Sequence, residues 1–244
     1  MSAGPFDPWS RPERAIRDRA TTPSPEATLS RKTVFIPFAV LCAAAWLTGC
    51  AETPGPGLAR GAQIFHTCVP CHGKDGHGNM ALGAPSIAGL PRWYIEHQLK
   101  NFKTSMRGAH PEDAEGQRMR PMARSLYREG DLESVSQYAA TLKPLPPMNN
   151  MMAMGDTAAG RVAFENICIT CHQADGIGSE AHGTPPLTHQ HDWYMMTQLY
   201  KFKSGQRGAH PDDGMGGQMA AMASTLADTA AMHDVIAFIR TLQK

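Results

Sequence analysis

The chain contains the motif Cys-x-x-Cys-His twice, as Cys68-Val69-Pro70-Cys71-His72 and, one hundred positions later, as Cys168-Ile169-Thr170-Cys171-His172. Two thiols three positions apart on a helical turn can bond the two vinyl groups of one porphyrin, and the adjacent histidine can then bind the iron. Zinc and dithiol sites also use Cys-x-x-Cys, but neither requires a histidine directly after it. The motifs therefore predict two covalent haem c groups, attached through Cys68, Cys71, Cys168 and Cys171, with His72 and His172 as axial ligands of the iron.

The sequence around the two motifs is duplicated as well. Between positions 68 and 126, roughly 26 of about 59 residues are identical at an offset of one hundred, which is typical of an internal repeat. Upstream of the first cysteine the register slips by one residue, so that Gly61 corresponds to Gly160. The repeat predicts two tandem haem domains, at 58–143 and 156–244, joined by a Pro- and Met-rich linker at 144–155.

Residues 1–49 predict an N-terminal lead segment, rich in proline and arginine, followed by a lipoprotein-type signal peptide. The apolar stretch 33–47 follows Arg31-Lys32 and is about the length of a signal peptide, which is short for a membrane-spanning helix. It ends in Leu47-Thr48-Gly49-Cys50, which resembles the bacterial lipobox. We expect Cys50 to carry a lipid, residues 50–57 to act as a tether, and the protein to be held at a membrane surface in the bacterial periplasm. An ordinary signal peptide or an uncleaved anchor helix are the alternatives.

Composition and charge narrow the range of partners. The formal net charge is +1, and no stretch has the basic footprint of a nucleic-acid-binding protein. With four of the six cysteines assigned to haem and Cys50 to lipid, only Cys42 in the apolar stretch is left, so no disulfide is expected. Beyond Cys50 the chain has no apolar run long enough to cross a bilayer.

The hydrophobic periodicity predicts an all-α fold. In the first domain we expect a short helix over 58–66, an amphipathic helix over 93–106, and a last helix with Asp131 as its N-cap. The second domain repeats the pattern with helices over 193–202 and 232–242. Three prolines among residues 144–147 are incompatible with a continuing helix and end the first domain.

The sixth iron ligand decides whether such a haem carries electrons or binds a small molecule. Two methionines recur, three positions apart, in the stretch before each last helix: Met119 and Met122, then Met219 and Met222. The residues alone leave open which methionine of each pair binds iron. A histidine ligand is a further alternative, because His110 and His210 recur in identical surroundings.

From about Leu58 onward the chain resembles the dihaem cytochromes of the c4 kind, which consist of two class I haem c domains in tandem. In those proteins the axial methionine lies seven residues before the leucine that opens the last helical segment. Carried over to this sequence, the resemblance implies Met119 and Met219 as axial ligands, placed before Leu126 and Leu226. It also implies haem-pocket roles for Pro85, Trp93, Tyr94, Pro185, Trp193 and Tyr194.

Other groups of residues allow weaker hypotheses. His182, His189 and His191 occur only in the second copy, so a metal there would serve neither haem. Four methionines at 148, 151, 152 and 154 are soft copper(I) ligands, although a flexible linker is the better explanation for them. Basic residues also recur on the amphipathic helices and predict a solvated face, with neutralisation of haem carboxylates or attraction of an acidic partner as the alternative: Lys100, Lys103, Arg107, Lys201, Lys203 and Arg207.

The function expected from these residues is single-electron transfer without an enzymatic step. The resemblance implies a donor such as a quinol-oxidising complex or dehydrogenase, and an acceptor such as a terminal oxidase or reductase. One alternative is a dihaem subunit of a fixed dehydrogenase or oxidase complex. Another is a dihaem peroxidase, which the symmetric recurrence of the methionines disfavours because such enzymes need one open iron.

Overall fold

The computed structural model describes residues 54–146 and 155–243, and the described parts of both repeats belong to one compact unit. The proposed signal segment, Cys50 and the linker methionines lie outside these residues. In the first repeat the α-helices are α1 (Leu58–Phe65), α2 (Val69–His72), α3 (Arg92–Thr104), α4 (Ala114–Arg124) and α5 (Asp131–Ala139). In the second they are α6 (Thr157–Ala163), α7 (Ile169–His172), α8 (Asp192–Lys203), α9 (Gly214–Thr225) and α10 (Thr229–Thr241). Extended pairing within the described ranges is limited to two isolated bridges, so the predicted all-α fold is confirmed.

Each domain is closed by a tight crossing of its first and last helices. A Cβ atom at Gly61 of α1 would lie 2.1 Å from the carbonyl oxygen of Ser134 in α5. At Gly160 of α6 it would lie 1.8 Å from the carbonyl oxygen of Asp234 in α10. Both distances are far below van der Waals contact, so glycine is required at each crossing. The structure thereby confirms that Gly61 and Gly160 correspond, despite the slip in register.

The extra residue of the second repeat is absorbed by a change of helix type. Between Gly160 and Cys168 the chain has one more residue than between Gly61 and Cys68. The residues Phe164–Cys168 form a π-helical turn, which holds one more residue per turn than an α-helix. Both cysteine motifs therefore begin at equivalent points although the leading segments differ in length.

The cores lie where the amphipathic helices meet. In the first domain Phe65, Ile95, Leu126, Leu132, Val135 and Ala139 form one buried cluster. In the second domain the cluster consists of Phe164, Met195, Leu226, Met232, Val235, Ile236 and Ile239. The motif cysteines Cys68 and Cys168 pack against these clusters, so the attachment sites are anchored to the cores.

The two helices that carry the methionine pairs, α4 and α9, were not predicted. Asp113 and Asp213 are their N-caps, and each side chain accepts a hydrogen bond from the backbone N–H three residues later, at 3.0 and 2.9 Å. At the other end, the ammonium groups of Lys103 and Lys203 donate to the carbonyl oxygens of Leu126 and Leu226. These contacts fix both ends of segments that have little helical preference of their own.

One predicted cap is wrong. The N-cap of α5 is Gly130, in a left-handed conformation with φ of 76°, and Asp131 is the first helical residue. The Asp131 carboxylate instead accepts a hydrogen bond from Arg60 Nε of α1 at 2.8 Å. Both side chains are largely buried, so Asp131 helps join the first and last helices rather than capping its own.

Candidate haem sites

The proximal histidines are held in the same way in both domains. His72 and His172 are buried at the ends of α2 and α7. Their Nδ1 atoms lie 2.9 Å from the carbonyl oxygen of Pro85 and 3.1 Å from that of Pro185. A carbonyl can only accept, so Nδ1 is the protonated nitrogen and Nε2 keeps its lone pair. Burial lowers the pKa of both histidines more than this hydrogen bond raises it, so both rings are neutral and suited to bind iron.

The cysteines are suited to covalent attachment rather than to a thiolate centre. Cys68 and Cys168 are partly buried against the cores, and burial raises the pKa of both thiols, in Cys168 to about 11. A zinc or redox-active dithiol site needs a lowered pKa, because the thiolate is the reactive form. The described residues also contain no group of three or more His, Cys, Asp or Glu side chains placed to hold a metal ion.

Both motifs open into one continuous cavity of about 730 Å³ that runs from the first domain into the second. Its wall is mostly apolar and includes both cysteine pairs, both proximal histidines and all four candidate methionines. Tyr94, Tyr194, Pro85, Pro185 and Trp193 also line it, whereas Trp93 is not among the lining residues and packs edge-on against Tyr94 with ring centroids 5.6 Å apart.

Helices α4 and α9 each contribute two methionines to the wall of the cavity. Residues three apart lie on one face of a helix, so Met119 and Met122 both reach the cavity, as do Met219 and Met222. Met122 is 39% exposed and Met222 41% exposed, whereas Met119 and Met219 are more buried. The burial pattern is the same in both domains and supports the inner methionine as the stronger ligand candidate.

A polar centre joins the two halves of the cavity. Arg107 donates to Gln98 of its own domain at 2.6 Å and to Tyr194 and Gln198 of the other domain at 2.9 and 3.1 Å. Arg207 makes the mirrored set of contacts, donating to Gln198 at 2.7 Å, Gln98 at 3.0 Å and Tyr94 at 3.4 Å. The two domains are therefore related by an approximate twofold axis between these arginines.

The polar centre fits the carboxylates of haem. Arg107 Nε and Trp193 Nε1 are buried donors without a hydrogen-bond partner among the described residues, and both side chains line the cavity. Burial opposes ionisation of Tyr194, but Arg107, Arg207 and Lys201 outweigh it and lower the pKa of the phenol. A buried, positive centre with free donors favours bound anions, and the propionates are the anionic groups of haem.

The expected solvated basic face is therefore only partly correct. Lys100 and Lys203 are exposed, but Arg107, Arg207 and Lys201 are buried at the domain interface. Lys201 Nζ contacts Asp113 Oδ1 at 2.5 Å and Glu115 Oε2 at 2.6 Å, both from the other domain. Sequence reasoning missed this interface, although the identical arginines and glutamines of the two copies were a signal for it.

The geometry supports neither a histidine as sixth haem ligand nor a metal site among the histidines of the second domain. His110 and His210 lie outside the cavity wall and accept from the backbone N–H of residues 112 and 212. His189 Nδ1 contacts the carbonyl of Leu145, and His191 Nε2 contacts that of His77, so they bridge to the first domain instead of forming a metal cluster.

Two helical domains, each with a Cys-x-x-Cys-His turn and two methionines in the wall of an apolar cavity, define a dihaem c-type cytochrome. A family model described as Cytochrome c matches residues 58–143 and 157–243. The chain belongs to the cytochrome c family, as a dihaem member of the c4 type, and carries two covalently bound haem c groups.

Similar proteins agree with this assignment. The thiosulfate dehydrogenase electron acceptor of Stutzerimonas stutzeri is 34% identical over 61% of this chain and 68% of its own length. Cytochrome c4 of Azotobacter vinelandii is 29% identical over 78% of this chain and 92% of its own. The crystal structure of reduced recombinant cytochrome c4 from Pseudomonas stutzeri superposes with a TM-score of 0.59 and 25% identity, covering 76% of this chain and 98% of that one.

Proposed function

We propose that this protein is a periplasmic electron carrier, tethered to a membrane through a lipid on Cys50. It would pass single electrons from a quinol-oxidising complex or dehydrogenase to a terminal oxidase or reductase. The observation that carries the proposal is the continuous cavity, since both Cys-x-x-Cys-His motifs line one apolar enclosure with a shared positive centre. Two redox groups held this way form an internal relay.

The proposed axial ligands are His72 with Met119 and His172 with Met219. The haem iron supplies a reversible one-electron couple, and a thioether ligand with burial raises its potential. The Pro85 and Pro185 carbonyls fix the tautomer of the two imidazoles, and burial keeps both rings neutral. The core clusters exclude water. Ligation of each iron by a histidine and a methionine would leave no position for a substrate, which favours a carrier over a peroxidase.

Spectroscopy of the holoprotein tests the carrier proposal. We expect two one-electron oxidations, a far-red sulfur-to-iron band with an intensity for two haems, and no carbon monoxide binding by the reduced protein. Carbon monoxide binding at either iron, or peroxide turnover at enzyme-like rates, would favour the peroxidase instead.

The membrane tether requires a separate test because Cys50 lies outside the described residues. Within the parts of the chain that the structure describes, no helix is long and apolar enough to span a membrane. Because Cys50→Ser would remove the site of the proposed lipid, it should move the protein from the membrane fraction to the soluble periplasmic fraction. If it remains with membranes, an anchor helix or a bound partner holds it there.

A second candidate is a dedicated subunit of one dehydrogenase. The name of the relative from Stutzerimonas stutzeri, an electron acceptor of thiosulfate dehydrogenase, favours this candidate for a donor of that type. Extraction in mild detergent distinguishes the two, because a fixed subunit should co-purify with its dehydrogenase and a mobile carrier should not.

A further inference from the structure

The two aspartates at the domain interface have unlike surroundings. Asp113 and Asp213 are the N-caps of α4 and α9, and both are buried. Asp113 accepts a hydrogen bond from the ammonium group of Lys201 at 2.5 Å. The residue equivalent to Lys201 is Asn101, and within residues 54–146 and 155–243 no basic side chain lies at ion-pair distance from Asp213. Asp213 is therefore a buried carboxylate that lacks the lysine given to Asp113.

A titratable side chain lies on the Asp213 side instead. His97 is one helical turn before Asn101 on α3, and its equivalent on α8 is Thr197, which does not titrate. The Nε2 atom of His97 lies 3.2 Å from Asn101 Nδ2. An amide nitrogen can only donate, so Nε2 of the ring has a lone pair and can take up a proton.

His97 lines the same cavity as both Cys-x-x-Cys-His motifs. Its neighbour Gln98 accepts hydrogen bonds from Arg107 at 2.6 Å and from Arg207 at 3.0 Å, and Asp213 lines the cavity as well. His97 is therefore beside the polar centre that fits the haem carboxylates. A change of charge on a haem acts strongly on a group placed there, because the surroundings are largely apolar and screen it weakly.

The charges around His97 hold its ring neutral but close to protonation. They come from Lys100 of its own helix and from Arg207 and Asp213 of the other domain. Burial lowers the pKa of His97 below its usual 6.5, Arg207 and Lys100 lower this pKa further, and Asp213 raises it. One added negative charge nearby would favour the protonated ring.

We propose that His97 is a proton-binding site coupled to the haems, so that the protein takes up a proton when a haem in this cavity is reduced and releases it on oxidation. One electron enters the ferric iron from the donor protein, and one proton passes from water to His97 Nε2. Both leave when the acceptor protein oxidises the iron. Asn101 suits both states of the ring, because its amide can turn and offer Oδ1 to the protonated Nε2. This inference rests on the proposed carrier function and adds proton coupling to it.

Nuclear magnetic resonance of the holoprotein, labelled at the histidine rings, measures the proton site directly. The pKa of His97 is obtained by pH titration of the fully oxidised and of the fully reduced protein, and its signal is the one that His97→Thr lacks. We expect His97 to bind its proton about tenfold more tightly in the reduced protein, because the added electron stabilises a nearby cation. Equal pKa values of His97 in the two oxidation states would overturn the proposal.

Redox potentiometry over about pH 4 to 8 tests the coupling from the side of the haems. Between the two pKa values of His97 the reduced protein holds one more proton than the oxidised protein, so a rise in pH should lower the potential. Above the higher pKa and below the lower one, His97 should have no such effect. We expect this pH-dependent region in at least one of the two couples of the wild-type protein, and its loss in His97→Thr, which installs the residue of the equivalent position.

A second histidine of the cavity wall provides the matched control. His182 also lines the cavity, and its equivalent in the first domain is Leu82. The variant His182→Leu should keep the pH-dependent region. If the region survives in His97→Thr, the proton belongs to the haem carboxylates or to His182, and the proposal is wrong. A holoprotein without reversible one-electron couples would refute the carrier function and this inference with it, whereas reversible couples that do not respond to the titration of His97 would refute this inference alone.

Discussion

The first and second haem domains have the same attachment residues but different interface residues. Arg107 and Arg207 each donate hydrogen bonds to the opposite domain, and the two sets of contacts are equivalent. The ionic contact is one-sided, because Lys201 reaches Asp113 of the first domain, whereas its counterpart Asn101 contacts His97 of its own helix at 3.2 Å. The two haem sites therefore have equivalent attachment residues, while the domains differ at a few interface positions.

On the other side of the interface the aspartate, Asp213, lies near the titratable side chain of His97, whereas Asp113 is paired with Lys201. Burial lowers the pKa of His97, and the nearby Asp213 opposes this effect while Arg207 and Lys100 add to it. A neutral imidazole at this point leaves Asp213 facing a weaker partner than Lys201 gives Asp113. The comparison shows that pseudo-symmetric sites can have different electrostatic surroundings.

Removal of one cysteine pair should have the largest effect. Cys68→Ala with Cys71→Ala should halve the covalent haem, from two to one per chain, and Cys168→Ala with Cys171→Ala should do the same. Pyridine haemochrome quantitation after acid-acetone extraction measures the haem retained. A wild-type protein with a single covalent haem would contradict the equivalence of the domains.

Substitution of the inner methionines should come next. Met119→Ala and Met219→Ala should each remove about half of the far-red sulfur-to-iron band, lower the potential of one haem and open that iron to carbon monoxide, because a thioether ligand is lost. The outer residues are matched controls, so Met122→Ala and Met222→Ala should leave the band intact. Loss of the band in the outer variants would assign them as ligands instead.

Substitution of the crossing glycines should reduce stability equally in both domains. Gly61→Ala and Gly160→Ala place a methyl group against backbone atoms of the last helix, which should cost about 3 kcal/mol in free energy of unfolding. Denaturant titration of the holoprotein measures it. Gly214→Ala is the control, because nothing lies within 4 Å of its Cβ position. A tolerated alanine at Gly160 alone would show that the π-helical turn relieves the second crossing.

The one-sided ionic contact should have the smallest effect and should depend on pH. Lys201→Asn leaves the buried Asp113 without its cation and should cost about 2 kcal/mol of stability. The hydrogen bond from Lys201 lowers the pKa of Glu115 in the folded protein below its usual 4.5. The stability that this contact contributes is therefore present above pH 4.5 and is lost as the pH falls through the lower pKa of the folded protein. Acid titration of wild type should therefore show a loss of stability below about pH 4.5 that is smaller in Lys201→Asn. Identical acid profiles would contradict the contact.

The helices that were predicted and those that were missed differ for a physical reason. Helices α3 and α8 have clear apolar periodicity and were recognised within about two residues of their observed ends. Helices α4 and α9 contain Pro121 or several glycines, which lower intrinsic helical preference. They are stabilised by the caps at Asp113 and Asp213 and by lysines from neighbouring helices, and lysine contacts between distant segments cannot be read from a local pattern.

The sequence by itself determined the two haem attachments, the duplication, the all-α class and the candidate ligands. These follow from local chemistry, since the two thiols and the histidine of each motif lie within five consecutive residues. Only the tertiary structure decided that Arg107 and Arg207 are buried donors to the opposite domain, and that Lys201 pairs with Asp113 across the interface. Those properties depend on how residues about ninety positions apart meet across the interface, and that meeting is set by the packing of whole domains rather than by any neighbouring residue.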